Sequence, residues 1–215
     1  MALNSLEQLY VASLRDLYDA EQQILASLPK MAEKATHPEL RRGFEKHQRQ
    51  TQEQVRRLEQ IFESLGEPAK GESCDGMKGL IKEGEKKMKK AEPDTLDAAL
   101  IGDAQKIEHY EIAGYGTVRT WAEQLGREQD ARLLQQTLDE EGETDKLLTE
   151  IAERVVNLDA LHASAGGRAR SAMDREVGLG GAALGGSKGS ATGGTARGKP
   201  SGTSRPSDRG STTDF

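Results

Sequence analysis

Residues 107–116 read IEHYEIAGYG, and the spacing inside and around that run decides how the chain folds. Leu96, Leu100, Ala104, Ile107, Val118, Ala122 and Leu125 recur with the period of an α-helix and mark one apolar stripe. Glu111 interrupts that stripe four residues after Ile107, and Glu108 sits one turn before it. An unpaired carboxylate buried among apolar side chains costs several kcal/mol, so an acidic inset in a core stripe needs a neutralising partner. The run is therefore the middle of a bundle helix that carries something polar inward. Asp94 is placed to cap this helix, and Gly126 to end it.

Working outward, a second amphipathic helix follows at once, from about Glu128 to Asn157, with Leu134, Leu138, Leu148, Ile151 and Val155 facing inward. Glu141 lies three residues after Leu138, and Asp145 lies between it and Leu148. At the other end of the chain, Asn4 with Glu7 reads as a capping box before Leu6, Tyr10, Leu14, Leu17, Ile24 and Leu28. That helix should kink at Pro29 and run to about Ala35, with Glu21 on its buried face. Pro38 suits the first turn of the next helix, in which Phe44, Thr51, Val55, Leu58, Phe62 and Leu65 face the core and Gly66 is the stop.

Residues 66–93 form a long crossover with a short Lys/Glu-rich helix around Gly79 to Lys90. Two hairpins joined by one long crossover is the connectivity of ferritin-like bundles, although a generic four-helix bundle with a long linker shares it. The fold expected is all-α: a ferritin-like four-helix bundle over residues 1–160, with a short crossover helix, then a disordered tail over 161–215. From Gly166 to Phe215 the chain has 13 Gly and 12 Ser or Thr, which leaves too few side chains for a core.

Depth along the bundle sharpens the reading of the acids. Glu21 lies 14 residues before the turn that ends the first helix, or roughly 21 Å at about 1.5 Å per residue. The same depth on the second helix falls between Gln50 and Gln54, and Glu111 and Glu141 reach the matching level of the other hairpin. All four helices bring polar groups to one layer. Two divalent cations would balance the four carboxylates of Glu21, Glu108, Glu111 and Glu141, the arithmetic of a dinuclear carboxylate centre, with Asp145 a further candidate ligand. Iron and manganese suit such oxygen-rich donors equally. Acids at a wet edge, or paired with Arg or Lys, are the plainer alternative.

Charge narrows the partners. The tail holds eight Lys or Arg against four Asp or Glu, so a formal net charge of -6 overall becomes about -10 on the foldable part. An acidic bundle repels polyanions, which argues against nucleic acid as the main partner and leaves only weak, salt-sensitive contact by the tail. No apolar stretch approaches the ~20 residues needed to cross a bilayer. With a single cysteine, Cys74, and no signal-like N-terminus, a cytoplasmic location is expected.

Several runs together carry a family resemblance: DLYDAEQQIL, KHxxxT followed by QVRRLEQIF, Cys74 with GLIKEG, AQKIEHYEIAGYGT and TLDEEGETDKLL. Over roughly residues 3–157 the chain resembles the YciE/YciF family of bacterial ferritin-like proteins. The resemblance implies a ferritin-like fold, a dimetal centre, a homodimer and an association with stress responses. It departs in the second helix, where family members carry a carboxylate before the threonine and this chain has Gln50. A neutral Gln carbonyl is a poorer partner for a hard cation. Gln54 falls where a ligating histidine would suit.

The remaining polar residues divide by position. His47 lies on the inner side of the second helix but about a turn from the carboxylate layer, which favours a supporting or purely structural role over ligation. His109 points about 200° around its helix from Glu111, towards solvent or a partner. Tyr18 and Tyr115 are spaced to line the site, with core packing the simpler role for both. Cys74 without a companion thiol reads as structural or as a dimer contact. Two functions remain open: a stress-linked protein whose paired Fe or Mn ions react with oxygen or peroxide, and a non-enzymatic dimeric interaction or protective module with a degenerate site.

Overall fold

The structure is a computed structural model describing residues 3–163; helix continues through 157–163, so residues 161–163 of the expected disordered tail are helical, and the rest of it, from residue 164 onward, lies outside the described residues. Its elements are α1 (Leu6–Lys34), α2 (Pro38–Leu65), α3 (Asp75–Met88), α4 (Pro93–Gln124) and α5 (Glu128–Ile151), followed by a π-helical turn, Ala152–Val156. The four long helices are the expected bundle, and α3 is the expected helix in the crossover.

Local chemistry sets the ends, with some departures from expectation. The cap of α1 is Ser5, whose hydroxyl accepts the Gln8 N–H at 3.2 Å, while the Gln8 side chain accepts from Asn4. The box is thus Ser5 with Gln8, one residue along from Asn4 with Glu7, and it leaves Leu6 37% exposed instead of in the core. Pro29 sits within an unbroken α1. α3 begins at Asp75 because the Cys74 thiol accepts the Met77 N–H and caps it. α4 starts at Pro93 after Glu92, with Asp94 already in its first turn and not the cap. Gly66 and Gly126, at φ 68° and 71°, close α2 and α4 in the left-handed conformation that glycine adopts without strain. The π turn shifts the helical face by one residue, so Val156 is buried and Val155 only half-buried.

All neighbours in the bundle run antiparallel. α1 packs on α2 and α4, α5 packs on α4 and α2, and α3 lies against α4 and α1. α2 therefore finishes at the opposite end from the start of α4, and the crossover must travel the length of the bundle. Its path is pinned to α1: Asp19 accepts the Cys74 N–H at 2.8 Å and Gln23 donates to the Cys74 carbonyl at 3.1 Å. Gly71 passes so close that a Cβ there would come within 2.9 Å of the Asp19 Cβ.

Two apolar cores fill the interior. One holds Ile24, Leu28, Phe44, Leu100, Ile107 and Leu148 with the inner face of α3, and the other holds Tyr10, Leu14, Leu58, Phe62, Val118 and Leu134. The buried Glu21, His47, Gln54, Glu108, Glu111 and Glu141 belong to neither.

Asp97 ties one hairpin to the other. Its carboxylate, on α4, accepts the Thr36 N–H at 2.8 Å, the Thr36 hydroxyl at 2.6 Å and the His37 N–H at 2.7 Å, capping an α2 whose own N-cap residue supplies no side-chain bond. Asp97→Ala should cost about 1–2 kcal/mol by urea denaturation, since it removes the buried carboxylate that caps two backbone donors at a partly exposed turn. A loss below about 0.5 kcal/mol would show that the turn holds itself.

Candidate metal centre

The polar layer is built from one residue type per helix face. Glu21 on α1, Glu108 and Glu111 on α4 and Glu141 on α5 are each no more than 2% exposed, as are His47 and Gln54 on α2. One donor atom each from His47, Glu108, Glu111 and Glu141 lies within 4.8 Å of the others, a group able to hold a metal ion. Glu21 stands beside this group, close enough to Glu111 and Glu141 for each charge to act on the others.

His47 is more central than its depth in the sequence suggests. Its Nε2 lies 3.4 Å from Glu108 Oε1 and 3.8 Å from Glu141 Oε2. The layer is a full turn thick: Glu108 lies about 4.5 Å along α4 from Glu111, and His47 meets that outer level. Thr144 sets its tautomer. The Thr144 hydroxyl donates to the Glu140 carbonyl at 3.0 Å, so at 3.4 Å from His47 Nδ1 it is placed to accept. Nδ1 then carries the proton and Nε2 presents a lone pair to the carboxylates, the form that ligates metals. Burial, the largest influence, holds the imidazole below its ordinary pKa and hence neutral.

The other contacts orient the acids. Tyr115 donates to Glu21 Oε1, and Gln54 Nε2 donates to Glu141 Oε1 and, at 3.1 Å, to Glu140 Oε2. Arg57 is bidentate on Glu140, at 2.6 and 2.8 Å, and also donates to Thr137. Six atoms of the layer are left buried without a partner: Glu21 Oε2, His47 Nε2, Glu108 Oε2, Glu111 Oε1 and Glu141 Oε2, and the Gln54 carbonyl Oε1. A donor set of carboxylate oxygens plus one imidazole, with its free lone pairs enclosed, fits a divalent cation of intermediate hardness.

Two anticipated residues, Asp145 and Tyr18, lie elsewhere. Asp145 is half-buried at the α4–α5 edge, where it accepts from Gln105 at 3.1 Å and faces the exposed His109 at 3.3 Å. One turn separates it from Glu141, but that turn carries it around the helix and out of the layer. Tyr18 donates to Glu59 and stacks edge-on against Phe62, away from the centre. Gln50, on α2 between His47 and Gln54, is half-buried with Oε1 enclosed and unpartnered. Cys74 is fully buried beneath the crossover, its sulfur 3.0 Å from the Tyr110 hydroxyl, which places it in the structural role. Thr144, Arg57 and Glu140 escape the sequence reading, although Thr144 follows Glu141 by three residues on the same face.

Comparison with known proteins agrees with this architecture. Residues 5–161 match the domain of unknown function DUF892. The chain belongs to the DUF892 family. It is 41% identical to protein YciF of Escherichia coli K12 over 162 residues, 74% of this chain and 98% of that protein. The crystal structure of the E. coli stress protein YciF superposes with a TM-score of 0.69 at 40% identity, covering 72% of this chain and 99% of that one. YcfI of Rhodopseudomonas palustris gives 0.67 at 43% identity over 68% and 94%. The YciE/YciF resemblance read from the sequence is therefore correct. Among the described residues of this DUF892 chain, no helix is long and apolar enough to cross a membrane.

Electrostatics predict a pH signature for the metal-free protein. Burial first, and then neighbouring carboxylates, push Glu21, Glu108 and Glu111 well above the usual carboxylate range. A folded-state pKa above the unfolded one means that the neutral acid favours folding. That contribution is whole below an unfolded pKa of about 4.3 and is lost as pH rises through the folded values. Glu111→Gln removes one such group, so in chelator its melting temperature should gain on wild type as pH goes from about 5 to about 8. A constant difference across that range would mean that Glu111 is ionised throughout.

Proposed function

We propose that this chain is a metal-binding ferritin-like protein of the stress response, in which Glu21, His47, Glu108, Glu111 and Glu141 hold a divalent centre of Fe or Mn. The observation that carries this reading is the set of five enclosed lone pairs, one from each of those residues, with no partner of their own. Among the described residues the nearest cation to influence them, Arg57, is committed to Glu140. Positive charge for the layer must come from protons or from metal.

His47, Glu108, Glu111 and Glu141 form the first position, and Glu21 with Glu111 would supply a second, which makes the centre dinuclear. Bound Fe or Mn would supply redox reactivity towards dioxygen or peroxide. The chain supplies the rest. Tyr115 fixes Glu21 and is itself held protonated by burial, its pKa well above the ordinary phenol value. Gln54 fixes Glu141, Thr144 keeps His47 Nε2 free of a proton, and the two apolar cores keep bulk water from the layer.

The stress role rests on the similarity to YciF, a stress protein of E. coli, and the homodimer and cytoplasmic location rest on the family resemblance and the cysteine usage. Sedimentation of the full chain tests the dimer. The second reading, a non-enzymatic interaction module, draws support from Gln54 and Tyr115, neutral donors that satisfy two carboxylates without metal, and from the uncharged Gln50. Elemental analysis of protein purified without added metal separates the two. Close to two ions per chain supports the dinuclear centre, close to one supports the four-residue group alone, and none supports the module. Glu111→Gln should then lower Mn(II) affinity at least tenfold by calorimetry, the loss expected for one carboxylate ligand.

Gln50→Glu tests the departure in α2. A carboxylate placed there should raise divalent-metal affinity, and in chelator it should lower the melting temperature by adding like charge beside the layer. Equal metal-induced shifts in both proteins would show that residue 50 does not face the metal.

A further inference from the structure

Two cavities lie in line between the face covered by α3 and the His47 side of the polar layer. The outer one, about 30 Å³, is walled by Met31, Leu80, Ile81, Met88 and Leu100 between α1, α3 and α4. The inner one, about 10 Å³, is walled by Leu28, Phe44 and Ala104 and ends on His47 and Glu108. Ser27, Met31 and Ile107 line both. The two cavities therefore adjoin at these three residues. Ser27 spends its hydroxyl on the Gln23 carbonyl of its own helix, at 2.9 Å, and so adds no polar group to the passage.

We infer that these cavities form a dry passage for a small, uncharged, apolar molecule, dioxygen above all, from the α1–α3–α4 face to His47 and Glu108. Void space lined by aliphatic side chains stays free of water and takes up apolar gases. Lys30, Glu85 and Asp103 also border the outer cavity, but the inner stretch past Leu28, Phe44 and Ala104 is apolar, and a metal cation could not shed its water to cross it. Methionine thioethers at Met31 and Met88, with several soft torsions each, can yield as a diatomic molecule passes between cavities this small. The inner end is the place where His47 Nε2 and Glu108 Oε2 lack partners. The use of the passage rests on the metal reading, and its existence does not. If both hold, the passage supplies the centre with dioxygen.

The experiment is methyl NMR of the full chain, metal-free in chelator, under oxygen pressure with nitrogen at equal pressure as the control. Dissolved dioxygen is paramagnetic and accelerates relaxation where it dwells. Methyls of Leu28, Met31, Ala104 and Ile107 should relax several-fold faster than those of Val118 and Leu134 in the opposite core. Ser27→Leu should fill the junction and abolish the effect at Leu28 and Ala104 while leaving it at Leu80 and Ile81; Ser27→Ala should behave as wild type. No excess relaxation at Leu28 and Ala104 in wild type overturns the passage, as does an unchanged pattern in Ser27→Leu. Should Ser27→Leu not fold, the wild-type comparison alone decides. Because the sample carries no metal, a failed metal titration leaves this result standing, and a failed oxygen result leaves the metal reading standing.

Discussion

Four carboxylates enclosed in one layer of a helical bundle are the constraint on which the rest of the structure turns. Each of Glu21, Glu108, Glu111 and Glu141 would be strongly destabilising if ionised alone in this interior. The layer is tolerable because donors on α2 and α4 reach into it, Tyr115 to Glu21 and Gln54 to Glu141, with Arg57 holding Glu140 one step further out. Those partners meet only when all four helices hold one register. Register is in turn fixed by the apolar cores above and below and by the Asp97 carboxylate, which locks the α1–α2 turn to the start of α4.

The crossover follows from the same geometry. With α2 and α4 on opposite corners, running the same way, the chain between them has to span the bundle, and α3 gives that span a rigid, amphipathic form. Its buried Met77 and Gly84 face α1 and α4, and Lys87 reaches Asp103 at 2.5 Å. Cys74 anchors the near end by thiol and backbone together. α3 thus covers the side of the bundle beyond His47 with aliphatic residues, and the small voids beneath it are the outcome of packing a short helix of Leu, Ile and Met across two long ones.

Much of this is legible in the residues. The acidic breaks at Glu21, Glu108, Glu111 and Glu141 stand out because a helix repeats its face every 3.6 residues, and any Glu on the buried face contradicts its neighbours. Levels within the layer are harder to read. Counting from the turns places the layer opposite residues 50–54, which is correct for Gln54, but a layer one turn thick also admits His47. Proximity to Glu141 suggests an inward Asp145, yet its angle around α5 carries it to the edge beside His109. Val155 departs for a different reason: a π turn inserts a residue into the helical count, and no composition signal announces it. Cap assignments slip by one or two residues at α1 and α4 because Asn4 and Ser5, or Glu92 and Asp94, offer competing side chains at a fraying end.

The charge of the layer links these structural details to chemistry. In the metal-free chain, three of the four carboxyls have their ionisation suppressed, and two contacts, Glu21 with Glu111 and Glu108 with Glu141, are suited to sharing a proton. Proton and cation then compete for the same lone pairs, so in the proposed loaded state each divalent ion displaces up to two protons. A single ion in the four-residue group would leave two negative charges to be held by protons, and the Glu21–Glu111 contact is where one of them can stay. A second ion would remove that need and bring Glu21 into use. The neutral side chains of α2 tilt this balance. His47 and Gln54 offer lone pairs without negative charge, so α2 would contribute no charge compensation to the proposed centre. In the proposed dinuclear centre, occupancy of the second position would be governed by the protons on Glu21 and Glu111, and its stoichiometry would be a function of pH.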